Sequence, residues 1–293
     1  MFIERRPEKN ILRHILLSVL IYDILSAETE RTMGHMARKE LSVVKAEKRD
    51  KDRQMQVYKR DDMIQKGRHN LTVQEQRCVL YAISQIQPTD DIYKAYSLEL
   101  GEFYDLCGLQ NESYTKLKAI MKGLSDRSWW ITIDDDGTES LVRWFSTLKF
   151  SEKSGRVTIK FHEDMMPYLL ELSKQNAFYT RYQLKYILPM SGQYSIRLYE
   201  LLKSYQKNNI RWYFEINELK RLLYCEQYVN FFDFKRRVLV PATSEINKYT
   251  DIKISWEPIK DGRKVTHIDF KMLDKDKAEL LATDMAISCE LDG

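Results

Sequence analysis

From residue 70 onward, apolar positions recur at helical spacing in several stretches, with short extended runs and turn residues between them. Asn70-Leu71-Thr72 reads as a helix entry, with Asn70 or Thr72 as cap and Glu75 three residues beyond Thr72. Leu80, Ile83 and Ile86 then mark one apolar face, and Pro88 stops the helix. An extended piece at 95–98 leads into a helix over about 100–107, closed by Gly108. A second helix is predicted over about 112–127, with Tyr114, Leu117, Met121 and Leu124 on one side. Strands are expected at 129–133, 140–151 and 156–161, with turns at 134–137 and 153–155, and a short helix at 165–172. Helix, strand, two helices and a hairpin is the order of a winged helix-turn-helix.

The same order returns further on. Residues 192–207 read as a helix, with Ile196, Tyr199 and Leu202 at helical spacing. Residues 211–216 are extended, 217–223 are helical with Asn217 as cap, and 231–249 form a longer helix. Residues 251–256 and 264–271 form a hairpin around Asp261-Gly262, a strong turn dipeptide. Residues 96–107 align with 212–223: Glu99 with Glu215, Glu102 with Glu218, and Leu100, Phe103 and Leu106 with Ile216, Leu219 and Leu222. The pattern therefore predicts an α+β chain of two tandem winged-helix domains, at 70–175 and 176–272.

What lies outside that repeat reads differently. Residues 1–69 are expected to be an N-terminal extension and basic arm, partly disordered. Within it 36–69 carries 11 Lys/Arg against 6 Asp/Glu. The apolar run 11–25 is broken by Arg13, His14 and Asp23, too short and too charged for a good membrane span. It reads as a non-core extension, upstream of a start at Met33 or Met36, or as an amphipathic helix with a partner. Residues 191–272 carry 15 cations against 10 anions, and 273–293, expected to be an acidic tail, carries 2 against 6. Net charge is only +4, so distribution, not total, suits a polyanionic partner.

Chemistry is conspicuous by what is missing. There is no phosphate-cradling G-x-x-x-x-G-K-[S/T] and no G-x-G-x-x-G opening a helix. Cys78, Cys107, Cys225 and Cys289 lie far apart, without a CxxC pair, so no metal site is expected; reduced thiols fit better than two disulfides. The five His residues are isolated, and no Tyr has a visible activating partner for nucleophilic work. Asp134-Asp135-Asp136, followed by Gly137, reads as a solvated hairpin tip, the wing tip of the first domain. No cofactor and no enzymatic activity are expected.

A binding face is present instead. On a helical wheel of 231–249, Phe231, Phe234, Val238, Ala242, Ile246 and Tyr249 form the buried stripe. Arg236, Arg237, Thr243, Ser244 and Asn247 lie opposite, with Lys235 and Lys248 at the flanks and Val240 also outward. Arg donates two hydrogen bonds to guanine, Asn pairs with adenine, and an apolar side chain meets the thymine methyl, so this mixture suits a major groove. Pro241 must either kink this helix or start its regular part. Lys260, Arg263 and Lys264 crowd the following turn, where cations contact phosphate. The first domain's equivalent helix offers Lys116, Lys118 and Lys122.

These segments resemble the RepB-type initiators, the two-winged-helix replication proteins of iteron-containing plasmids. The resemblance rests on residues 70–76, on Arg197-Leu-Tyr-Glu-Leu-Leu-Lys203, on Phe234-Lys-Arg-Arg-Val-Leu-Val-Pro-Ala242 with Glu245-Ile-Asn247, and on Gly262-Arg-Lys-Val with Ile268-Asp-Phe270. It implies binding to double-stranded origin repeats, strand opening, recruitment of host initiation and helicase-loading proteins, and autorepression. It also implies a homodimer in equilibrium with monomer, built on the first domain. The scattered thiols and the broken apolar run 11–25 lead to the expectation of a bacterial cytoplasm with no membrane attachment. Two other functions stay open: a plain winged-helix repressor, and a nicking initiator or relaxase.

Overall fold

The computed structural model describes residues 55–292 apart from 107–113, 133–137, 152, 171, 173–177 and 208. The apolar run 11–25, the arm up to residue 54, Cys107, Gly108 and Asp134–136 lie outside the described residues. None of the described helices is long and apolar enough to cross a membrane.

The first unit begins earlier than expected. Residues 56–68, assigned above to the arm, are folded as β1 (Gln56–Arg60), a helical turn α1 (Asp61–Gln65) and β2 (Gly67–Arg68). β1 pairs antiparallel with β8 (Tyr179–Gln183), so the start of the unit is tied to the segment leading into the second one. Gly67 is where the chain needs no side chain: a Cβ would come within 2.2 Å of the Trp129 indole nitrogen.

α2 (Val73–Ser84) starts with the anticipated capping box, in which Thr72 Oγ1 accepts from Glu75 N–H (3.3 Å) and Glu75 accepts from Thr72 N–H (2.8 Å). β3 (Tyr96–Glu99) and α3 (Leu100–Leu106) follow, then α4 (Tyr114–Ser125), which buries Leu117, Met121 and Leu124. The strand expected over 140–151 is two strands, because the chain breaks at Trp144, which is buried against Trp129 and His69. β4 (Ser128–Thr132) lies between β2 and β5 (Glu139–Arg143) in one sheet; β7 (Arg156–Phe161) lies between β3 and β6 (Phe145–Ser151) in another. A 3₁₀ stretch, Glu163–Tyr168, stands where a short α-helix was expected.

The second unit is α5 (Gln193–Gln206), β9 (Arg211–Glu215), α6 (Ile216–Leu222), a long helix α7 over 231–249, and the hairpin β10 (Ile252–Asp261) and β11 (Lys264–Asp274). The cap of α6 is Glu215, not Asn217: Glu215 accepts from Glu218 N–H at 2.7 Å. The sheet order β10-β11-β9 repeats β6-β7-β3 of the first unit, and both edge strands feed directly into a seven-residue helix. The 96–107 and 212–223 repeat is therefore a repeat of structure. Within the acidic tail, Lys277–Asp292 form a helix, α8, that buries Thr283, Ile287 and Leu291.

The two units share a buried polar junction. Glu200 on α5 accepts from Lys59 on β1 and from the Tyr182 hydroxyl, while Arg197 donates to the carbonyls of Ile64 and Gly67. Burial lowers the Lys59 pKa, and the adjacent Glu200 opposes that fall. Charges this deep persist only with such partners.

Candidate nucleic-acid interface

Helix α7 is entered at Asn230, whose side chain accepts from Asp233 N–H at 2.8 Å. Its inner face buries Phe234, Val238, Leu239, Ala242, Ile246 and Tyr249 against α5 and β10. Phe231, expected on the buried stripe, is only half-buried, and Leu239, absent from the wheel, is fully buried. Lys235, Arg236, Arg237, Val240, Ser244 and Lys248 are exposed. Arg236 lies 3.3 Å from Asp233 and 5.7 Å from the Phe232 ring, and the Lys235 ammonium lies 5.9 Å from the Trp256 ring. Arg237 makes no hydrogen bond among the described residues.

Two residues expected on the DNA-facing side have their side-chain polar atoms engaged within the protein. The Asn247 amide donates to Ile254 C=O (2.9 Å) and accepts from Ile254 N–H (2.7 Å), so both its polar atoms clamp α7 to β10. Thr243 Oγ1 donates to Leu239 C=O (2.7 Å) and accepts from the Trp256 indole (3.0 Å). Their neighbour Glu245 is also structural: its carboxylate accepts from Ser191 N–H (2.9 Å) and Gly192 N–H (3.1 Å), holding the N-terminus of α5. Lys248 is exposed but held by the Tyr249 hydroxyl at 2.6 Å and by Glu290 of α8 at 3.6 Å; the Tyr249 contact leads in raising its pKa.

The hairpin β10–β11 closes in two residues, Gly262 and Arg263, between the pair Asp261 and Lys264. Gly262 has φ +59°, a value that a two-residue hairpin needs and that glycine adopts freely. Lys260, Arg263 and Lys264 are exposed around this tip. They form no ion pair among the described residues.

In the first unit, Lys116, Lys118 and Lys122 are exposed on α4, with Lys118 6.0 Å from the Phe150 ring. The hairpin equivalent to β10–β11 is β6–β7, with Lys153, Ser154 and Gly155 at its tip. β4 and β5 pair with each other in a separate sheet with β2. The strands that sequence reading took for the first unit's wing are thus not the counterpart of β10–β11, because strand partners are not visible in a linear pattern.

Two winged-helix units in tandem, the second with a long cationic helix and a cationic hairpin, define the class. Residues 56–203 match the family described as Initiator Replication protein, WH1, and residues 215–272 match Initiator Rep protein, WH2. The chain belongs to this initiator replication protein family. A "Replication initiation protein" of Escherichia coli is 26% identical over 220 residues, covering 70% of this chain and 66% of that protein. The "PI protein" of Escherichia coli is 31% identical over 155 residues, covering 47% and 50%. The chain thus spans just under two thirds of the first relative's length and half of the second's. A crystal structure of the Pi initiator protein in complex with iteron DNA superimposes with a TM-score of 0.60 at 22% identity, covering 77% of this chain and 99% of that one.

Proposed function

We propose that this protein is a non-enzymatic replication initiator that binds direct repeats in duplex origin DNA. The observation that carries the reading is the set of exposed cations on α7 and the β10–β11 tip, most of them without an internal counter-charge. Arg236, Arg237 and Val240 enter the major groove and read base edges; Ser244 serves bases or phosphate. Lys235, Lys260, Arg263 and Lys264 follow the backbone. Lys248 is a weaker contributor, since Glu290 must be displaced first. Thr243 and Asn247 support the helix instead of reading DNA.

The first unit supplies the homodimer surface and auxiliary contacts through Lys116, Lys118 and Lys122. Host initiation and helicase-loading proteins join the complex in the bacterial cytoplasm, and binding at its own promoter would repress the gene. The binding of iteron DNA by the structurally similar Pi protein supports this reading.

The test has two parts. The duplex enriched by this chain from a random library should occur as direct repeats beside its gene, and a plasmid carrying that array should replicate only when the chain is supplied. Binding without replication would leave a winged-helix repressor. Strand cleavage with Mg²⁺ or Mn²⁺ would favour a nicking enzyme.

A further inference from the structure

Residues 231–249 run as one helix whose middle turn is not α. Val240 N–H donates to Lys235 C=O, five residues back, and Lys235–Leu239 form a π turn. Such a turn holds one residue more than an α turn and often marks a functional site. Its cause stands at its C-terminal edge. Pro241 has no N–H to give to the Arg237 carbonyl, and in a regular α turn its ring would collide with that oxygen. Widening the helix by one residue removes the collision.

The extra residue changes which side chains share a face. An α-helix advances about 100° per residue, so each four-residue step overshoots a full turn by about 40°. The wide turn offsets that drift. On the inner face Phe234 is followed by both Val238 and Leu239, each at most 1% exposed, before Ala242 and Ile246 resume four-residue spacing. On the outer face three consecutive cations, Lys235, Arg236 and Arg237, are exposed, and Val240 and Ser244 continue the row. A purely α-helical segment of equal length would rotate Arg236 and Arg237 by about 100° relative to Ser244.

We infer that Pro241 is a positioning residue for sequence reading: through the π turn it sets the rotation of Arg236, Arg237 and Val240 relative to the second half of α7. It touches no base in this role; it fixes the register in which its neighbours meet base edges. The inference rests on α7 being the reading helix.

The variant is Pro241→Ala, which restores the N–H and removes the ring. The probes are the duplex that the wild-type chain enriches from a random library, and random duplex of equal length. Four results are expected: in the variant's crystal structure a Val240 N–H bond to Arg236 C=O in place of the one to Lys235, a melting temperature no lower than wild type, a loss of about tenfold or more in affinity for the enriched duplex, and unchanged affinity and salt slope on random duplex. A Val240 bond still made to Lys235 C=O would mean the π turn survives without proline, which overturns the inference. Full preference for the enriched duplex in the variant overturns it too. If Pro241→Ala folds poorly, Pro241→Ser makes the same comparison on this exposed position. Arg236→Ala and Arg237→Ala run in parallel. If they lose preference while the Pro241 variant keeps it, only this inference falls; if they keep it as well, the reading of α7 falls with it.

Discussion

In the first winged-helix unit, three of the cations around the hairpin and its helix are engaged by the unit's own atoms. Arg156 lies 3.3 Å from Glu99 and donates to Ser97, Lys160 lies 5.0 Å from the Tyr93 ring, and Lys118 faces Phe150. In the second unit, Arg237, Lys260, Arg263 and Lys264 stand on the same kind of scaffold with no ion pair among the described residues. The scaffold itself is duplicated, sheet order included. The difference teaches that a repeated scaffold need not repeat its surface chemistry. A cation already satisfied internally gains less from phosphate, because its existing contacts must first be broken.

The strongest way to break the comparison is to remove the second unit's support. Phe234 is fully buried beneath the exposed cations. Phe234→Ala is expected to cost about 3–5 kcal/mol of stability, read by denaturant unfolding, and to abolish preference for the enriched duplex. A cost under about 1 kcal/mol would mean that α7 is not packed on its domain as described.

Next in size is Asn247. Both its amide atoms serve the backbone of buried Ile254. Asn247→Ala should lower stability by about 1–3 kcal/mol while the folded protein keeps its preference between enriched and random duplex. Loss of preference without loss of stability would return Asn247 to the reading face.

How much of this was legible in the sequence depends on the range of the interaction. The Thr72–Glu75 capping box, the stripes of α4 and α5, and the turn at Gly262 are local, and periodicity or turn chemistry reveals them. The strand–helix repeat was legible because both copies keep the same alternation. Pairing of Gln56 with Gln183 joins positions far apart in the chain, which no local pattern encodes, so the folded segment 56–68 was read as an arm. The same blindness took β4 and β5 for the first unit's wing. The internal bonds of Asn247 and Thr243 were hidden for another reason. A wheel reports a side, not a partner, and both residues sit where that side meets β10. The acidic tail hid a helix because Glu279, Asp284 and Glu290 find Lys253, Lys185 and Lys248 only in three dimensions.

The two helices sharpen the comparison further. Arg236→Ala or Arg237→Ala should each cost about 1–3 kcal/mol of affinity for the enriched duplex if the residue reads a base, and little on random duplex. Replacing Lys116, Lys118 and Lys122 together by Ala should weaken both duplexes by similar factors. Equal behaviour of the two helices in a binding titration would mean that both units read sequence.

The smallest effect separates the two hairpin tips. Lys260, Arg263 and Lys264 are long side chains on a solvent-exposed turn, able to follow the phosphate backbone but poorly fixed for base edges. Every phosphate that a cation no longer neutralises should take about 0.9 off the slope of log affinity against log salt. Neutralising all three side chains should therefore flatten the slope by up to about 2.7 while leaving the ratio of enriched to random affinity in place. Lys153 is the exposed cation at the equivalent tip of the first unit, where Arg156 is already paired with Glu99. Lys153→Ala should change the slope by no more than about 0.9, and by nothing if that tip stays off the duplex. The measurement is binding of both duplexes across a salt series. If the second tip's variants lose preference while the α7 arginines lose only general affinity, helix and hairpin have exchanged the roles assigned to them. If Lys153 alone flattens the slope as far as the three together, it is the first unit that lies along the backbone.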